Sequence, residues 1–233
     1  MHAFSYDSIH DEIVISSPLA QAVITFRGGA KGEEPPIRII QGPKTRILGV
    51  NDKVSVDPVN NEIYAPSWPN TILVFDREAQ GNVAPKRILN PPQTSKLNSY
   101  QESVGSAYVD SANNLLLVGQ SGSIMIFDRT ASGNATPRAI IPGASGHFQI
   151  AAAGWVVAGC GEGAVCAWSI KDALNGAVAP RWKIPLQQLT GYGPAGIALD
   201  PVHKELIYSA RPRDEGPSIR NAVVTFSWPE IFQ

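Results

Sequence analysis

The stretch Asp57-Pro58-Val59-Asn60-Asn61-Glu62-Ile63-Tyr64-Ala65-Pro66-Ser67-Trp68-Pro69-Asn70-Thr71-Ile72-Leu73-Val74-Phe75-Asp76-Arg77 holds two short apolar runs separated by turn-forming residues. Runs of four to six residues rich in Val, Ile and aromatics suit strands rather than helices. Asp-Pro-Val-Asn-Asn and Ser-Trp-Pro-Asn are turn chemistry, because Pro presets one dihedral and Asn or Asp bond back to the local backbone. Extended outward, the unit gains an inner run at Val54–Val56, an Ala-Gln-Gly-Asn turn and an outer run at Lys86–Leu89. The result is a four-stranded antiparallel unit.

The unit recurs. Ile72–Arg77 is matched by Ile124-Met125-Ile126-Phe127-Asp128-Arg129, and more loosely by Ala22–Arg27, Ala164–Trp168 and Ala222–Phe226. The anchor aromatics Phe26, Phe75, Phe127, Trp168 and Phe226 stand 49, 52, 41 and 58 residues apart. The turn-and-strand phrase returns as Asp200-Pro201-Val202-His203-Lys204-Glu205-Leu206-Ile207-Tyr208, with looser forms from Asp7 and from Asp110. Four copies end in an arginine beside an apolar pair, at Arg38, Arg87, Arg138 and Arg181. A four-stranded unit of about 47 residues is a propeller blade, because one such sheet cannot bury both faces and stacked copies can. The fold expected is all-β, a single five-bladed β-propeller domain over residues 1–233. Its blades span about 3–43, 50–92, 104–142, 147–185 and 195–233. The five anchor aromatics are expected in the inter-blade core. The outer run appears only four times, so the last blade is expected to be incomplete. Helix is expected to be nearly absent, with Ser169–Leu174 the one permissive segment.

The Asp-Pro-Val-x-x-Glu-Ile-Tyr hairpin and the Phe-Asp-Arg-x-x-x-Gly-Asn phrase resemble the NHL-like repeats of uncharacterised bacterial β-propeller proteins. The resemblance covers nearly the whole chain. It implies a propeller and little about activity, since propellers host enzymes, ligand binders and scaffolds.

Composition agrees with a turn-rich β protein. The 233 residues include 21 glycines and 19 prolines, and only 17% are charged. A net charge of −1 gives no broad pull towards nucleic acid. No apolar stretch reaches the ~20 residues of a helical membrane span, so neither a nucleic-acid partner nor a membrane span is expected. No basic head followed by an apolar run opens the chain, which leaves a cytoplasmic protein or a mature or trimmed form, extracytoplasmic in the latter case.

Chemistry-bearing residues are sparse. His2, His10, His147 and His203 show no metal-ligand spacing, and no nucleophile elbow is present. Gly159–Gly163 reads as a hairpin turn, and Cys160 and Cys166 beside it read as packed strand thiols, with a disulfide as the alternative. The turn aspartates Asp7, Asp57, Asp110 and Asp200 read as caps of their own turns, and the outer-strand arginines as rim residues pairing with Asp76 and Asp128. Loops before the inner strands share one end with the second-to-third turns and surround a channel mouth. The ligand-binding set expected there is Asn51, Asp52, Glu102, His147, Tyr192 and Arg211, with Trp68 and Asn70 nearby. No cofactor is expected.

The function expected is a non-enzymatic binding or scaffold propeller recognising a protein, a glycan or another copy of itself. The alternatives are a lactonase-like hydrolase with a metal at the channel mouth, held by Asp52, Glu102 and a loop Asn, and a structural subunit of a fibre or ring. An assembly edge is expected at Ala222, Val223, Val224, Thr225 and Phe226, uncharged and apolar. That edge is covered by the tail, by a second copy as a homo-oligomer, or by a strand from a longer precursor.

Overall fold

The computed structural model describes residues 4–48, 53–93, 104–212 and 222–233, with the side chains of 195 and 210–212 excepted. It is a five-bladed β-propeller with few helices. The first blade consists of β1 (Phe4–Asp7), β2 (Glu12–Ser17), β3 (Ala22–Arg27) and β4 (Arg38–Gln41). The second is β5 (Ser55–Asp57), β6 (Glu62–Ser67), β7 (Thr71–Asp76) and β8 (Arg87–Leu89). The third is β9 (Ser106–Asp110), β10 (Leu115–Gln120), β11 (Ser123–Asp128) and β12 (Ala139–Pro142). The fourth is β13 (Ala144–Ala151), β14 (Trp155–Cys160), β15 (Ala164–Ser169) and β16 (Trp182–Ile184). Among the described residues three strands form the fifth, β17 (Tyr192–Asp200), β18 (Glu205–Pro212) and β19 (Ala222–Ser227), in that order.

Two compact units share the chain. One comprises residues 1–121 and 125–138, the other residues 122–124 and 139–233. The first unit's core contains Val14, Val23, Ile63, Leu73 and Phe75 in one cluster and Tyr64, Leu116, Met125 and Phe127 in another. The second unit's core gathers Val157, Val165, Leu206, Tyr208, Trp228 and Ile231.

The hairpin turns form for the reason read from the sequence. Asp57 Oδ1 accepts from the amides of Val59 and Asn60, and Asp7, Asp110 and Asp200 repeat the pattern on their own turns. A left-handed residue closes each, as Asn61 does at φ 54°. A short helix, α1 (Ile170–Leu174), follows β15, capped by Ser169 Oγ accepting from Asp172 N. A second one, α2 (Leu186–Thr190), lies where sequence shows only a loop.

Three expectations need correction. Phe75, Phe127 and Trp168 are buried, but Phe26, on the open face of the first blade, and Phe226, on the last blade's packed face beside an edge with no outer strand among the described residues, are only half-buried. Cys160 and Cys166 are not free thiols: their sulfurs are bonded across the β14–β15 hairpin. The tail does not run as a strand along β19. It forms a 3-10 turn at Pro229–Phe232, whose Ile231 is buried with Trp228 in the second unit's core.

Candidate functional site

Strand register gives every blade the same three positions along one face. The residue that opens the second strand is the first, and the outer-strand residue two rows along is the second. The residue that follows the third strand of the next blade is the third. In the first blade the first two are Glu12 and Arg38, and the second blade adds Arg77. Both guanidiniums donate to Glu12 Oε2, Arg77 at 2.9 Å. The second blade repeats the arrangement. Arg87 clasps Glu62 with two bonds of 2.7 and 2.8 Å, and Arg129 donates to Glu62 Oε2 at 2.9 Å. Tyr64 Oη also donates to Glu62 Oε2, at 2.8 Å.

These acids are nearly solvent-free, and their electrostatics follow. Burial pushes Glu62 up, but bonds from Arg87 and Tyr64 and the charges of Arg87 and Lys86 outweigh it, holding Glu62 at about 2. Burial likewise opposes ionisation of Glu12, and Arg38 and Arg77 together bring it below the ordinary carboxylate value. The outer-strand arginines Arg38 and Arg87 are therefore not rim residues paired with Asp76 and Asp128. Only Arg138 meets Asp128, at 3.0 Å, with both side chains exposed.

The same positions change character together along the chain. In the third blade they are Leu115 and Ala139, and the third position following β15 is Ile170. In the fourth blade they are Trp155 and Trp182, followed by Trp228 after β19. Trp155 and Trp182 ring centroids lie 4.4 Å apart, and Trp182 and Trp228 6.3 Å, tilted and edge-on. Charged, charged, apolar and aromatic sets thus succeed one another.

The fifth blade breaks the series. Its first position is Glu205, half-buried, with no outer strand among the described residues to supply an arginine. The face that Glu205 shares with Ile207, Ser209, Val223, Thr225 and Ser227 is open. Val223 is 75% exposed, whereas its counterparts Val23, Ile72, Ile124 and Val165 are 0–1% exposed. On the other face of that sheet, Leu206, Tyr208, Val224 and Phe226 pack into the second unit's core. The first blade has an open face of its own, where Phe4 is 60% and Tyr6 53% exposed.

Of the ligand set expected from sequence, the structure describes the side chains of His147 and Tyr192. Asn51, Asp52 and Glu102 lie outside the described residues, as does the side chain of Arg211. His147 is exposed on β13, and Tyr192 opens β17, half-buried and packed against the second unit's core. Of the nearby pair, Asn70 donates to Pro91 O at 2.7 Å and accepts from Gln120 Nε2 at 2.6 Å, joining two second-to-third turns. Lys53, on the same end of the second blade, is held down to about 8 by burial, with Nζ 6.0 Å from the Tyr108 ring centre. A part of its amines is therefore uncharged near pH 8. Among the described residues no three His, Cys, Asp or Glu side chains gather as a metal site. A pocket lined by Glu162, Ala164, Lys183, Pro185 and Gln188 has about 190 Å³, below the ~300 Å³ at which ligand pockets begin.

Sequence reasoning missed Glu12, Glu62, Arg77 and Arg129. The phrases that carry them are Glu-Ile at 12–13 and 62–63 and Phe-Asp-Arg at 75–77 and 127–129. The signal was the co-occurrence of the two phrases in consecutive repeats.

No family model and no curated protein matches the chain. Solved structures do. The β-propeller domain of Myceliophteria thermophila Cps50 (Swd1) superposes with a TM-score of 0.66 at 13% identity, covering 98% of this chain and 73% of that one. A chain of the mitotic checkpoint complex gives 0.64 at 13% identity, covering 97% and 60%. A chain of Kuenenia stuttgartiensis hydrazine synthase gives 0.65 at 11% identity, covering 97% and 62%. This chain therefore spans under two thirds of the last two. At such identities the likeness shows the fold alone, and that fold is the β-propeller.

Proposed function

We propose that this chain is a non-enzymatic β-propeller scaffold that binds a protein partner through its fifth blade. The observation that supports this reading is Val223, exposed where four equivalent residues are buried. An apolar, β-branched residue exposed beside an open strand edge, at a place the other blades cover, suits an interaction surface. The neighbouring structures fit it, since one is a chain of the mitotic checkpoint complex. Kinship with NHL-like repeat proteins, and a ligand site at Asn51, Asp52, Glu102, His147, Tyr192 and Arg211, belong to the same proposal. Val223→Asp should fold normally, because the site is solvated, and should lose proteins that the immobilised parent chain retains from its own cell extract. Identical retained sets for parent and variant would remove the fifth blade from the account.

A second reading has its own observation. The chain exposes an apolar face on its first blade at Phe4 and Tyr6 as well as the face around Val223. Two different faces joining head to tail build a ring or a filament. Sedimentation across a wide concentration range tests it: mass that grows with concentration and falls with Val223→Asp supports self-assembly, and a constant monomer mass refutes it.

A further inference from the structure

We propose that the open edge of β19 takes up an arginine-bearing β-strand of a partner protein, with the pattern Arg-x-Ile or Arg-x-Leu. This rests on the scaffold reading above and names the partner's chemistry.

Strand pairing in the chain's own blades defines what the edge lacks. Outer strand β4 sets Arg38 opposite Thr25 and Ile40 opposite Val23. Outer strand β8 sets Arg87 opposite Val74 and Leu89 opposite Ile72. In both, the arginine turns to the glutamate that opens the second strand, and the aliphatic residue two places later is buried. The corresponding places on the fifth blade are Glu205, Thr225 and Val223. A strand carrying arginine opposite Thr225 and Ile or Leu opposite Val223 meets all three. It gains backbone bonds to β19, an ion pair with Glu205 and cover for an exposed valine.

A second copy of this chain fits the place less well. Among the described residues a second copy offers open faces on its fifth and first blades. The fifth would set a second Glu205 against the first, a like charge, and on the first blade the position that carries Arg77 and Arg129 in later blades is Gly28. A side chain at Gly28 would overlap the Asp11 carboxylate, so that position has no room for a cation. The first blade's outer-strand arginine, Arg38, is already bound to Glu12.

The probe is a labelled peptide with the sequence of residues 84–91, Ala-Pro-Lys-Arg-Ile-Leu-Asn-Pro, titrated with the intact chain by fluorescence anisotropy. Saturable binding is expected. Changing the peptide arginine to alanine, or Glu205→Gln in the protein, should weaken it roughly tenfold, the worth of one charge-assisted bond. Glu205→Arg should restore binding to a peptide with glutamate in place of arginine. Binding that ignores both changes, or no binding, overturns the proposal. So does a two-copy complex in sedimentation that Val223→Asp dissolves, since the occupant would then be this chain. Where Val223→Asp loses retained proteins but the peptide fails, the scaffold reading stands and only the arginine-bearing strand falls.

Discussion

Glu62→Ala is expected to destabilise the protein by ~3–5 kcal/mol, the cost of removing one partner from a buried ion pair. For a chain of this size that is a fall of roughly 10 °C in Tm. The reason lies in what remains. Arg87 and Arg129 both donate to this one carboxylate, and Tyr64 Oη loses its 2.8 Å acceptor and keeps only Arg129 O at 3.4 Å. Arg87 is left with little water and no paired carboxylate, and Arg129 keeps only Asp57, 3.9 Å away. Thermal unfolding followed by circular dichroism reads the effect, and Glu34→Ala is the control, because the Arg27–Glu34 pair is open to solvent and screened by it. Acid gives the same answer without a mutation. Glu62 is held at about 2 in the fold, against 4.5 for an ordinary glutamate. A carboxylate depressed in the folded state stabilises fully above the ordinary value. That contribution should therefore drain away as pH falls from about 4.5 towards about 2. Equal losses for Glu62→Ala and Glu34→Ala would show that the junction contributes nothing beyond a surface pair.

Phe75→Ala should cost a similar ~3–5 kcal/mol, as truncation of a fully packed aromatic leaves a cavity that a β-sheet core cannot collapse around. Phe75 is 1% exposed and sits among Ile63, Leu73 and Val56. The equivalent Phe26→Ala should cost clearly less, because the first blade's outer face is open and Phe26 is half-buried. Urea unfolding of the two variants measures the contrast. Matching costs would mean that the first blade's face is covered in solution.

The repeats made the blades legible. Period, turn residues and anchor aromatics place each strand, because short-range chemistry decides them: aspartate caps a turn and β-branched runs form strands. That the last blade has no outer strand among the described residues was legible by the same count. The charged junctions were not, although every residue in them was in view. Arg38 and Arg87 read as edge residues because sequence shows a charge and not the row it faces. Only register, Val14 to Thr25 to Arg38, turns that guanidinium inward onto Glu12. The half-burial of Phe226 and the cover of Ile231 by the second unit's core depend on which faces neighbouring sheets close, which no single repeat encodes. The disulfide was read as the lesser alternative because a six-residue spacing fits a hairpin bond and a free pair equally well; pairing of Ala158 with Cys166 and Cys160 with Ala164 decides it.

The face that carries the functional reading can be measured by thiol labelling. The two native cysteines are bonded to each other, so they do not react in the oxidised protein. Val223→Cys and Ile72→Cys place a thiol at the same repeat position in the fifth and second blades. Maleimide should label Val223→Cys in the native state nearly as fast as a free thiol, and Ile72→Cys only on unfolding. If the thiol at position 223 is as protected as the one at position 72, the fifth blade is already covered and the docking surface does not exist.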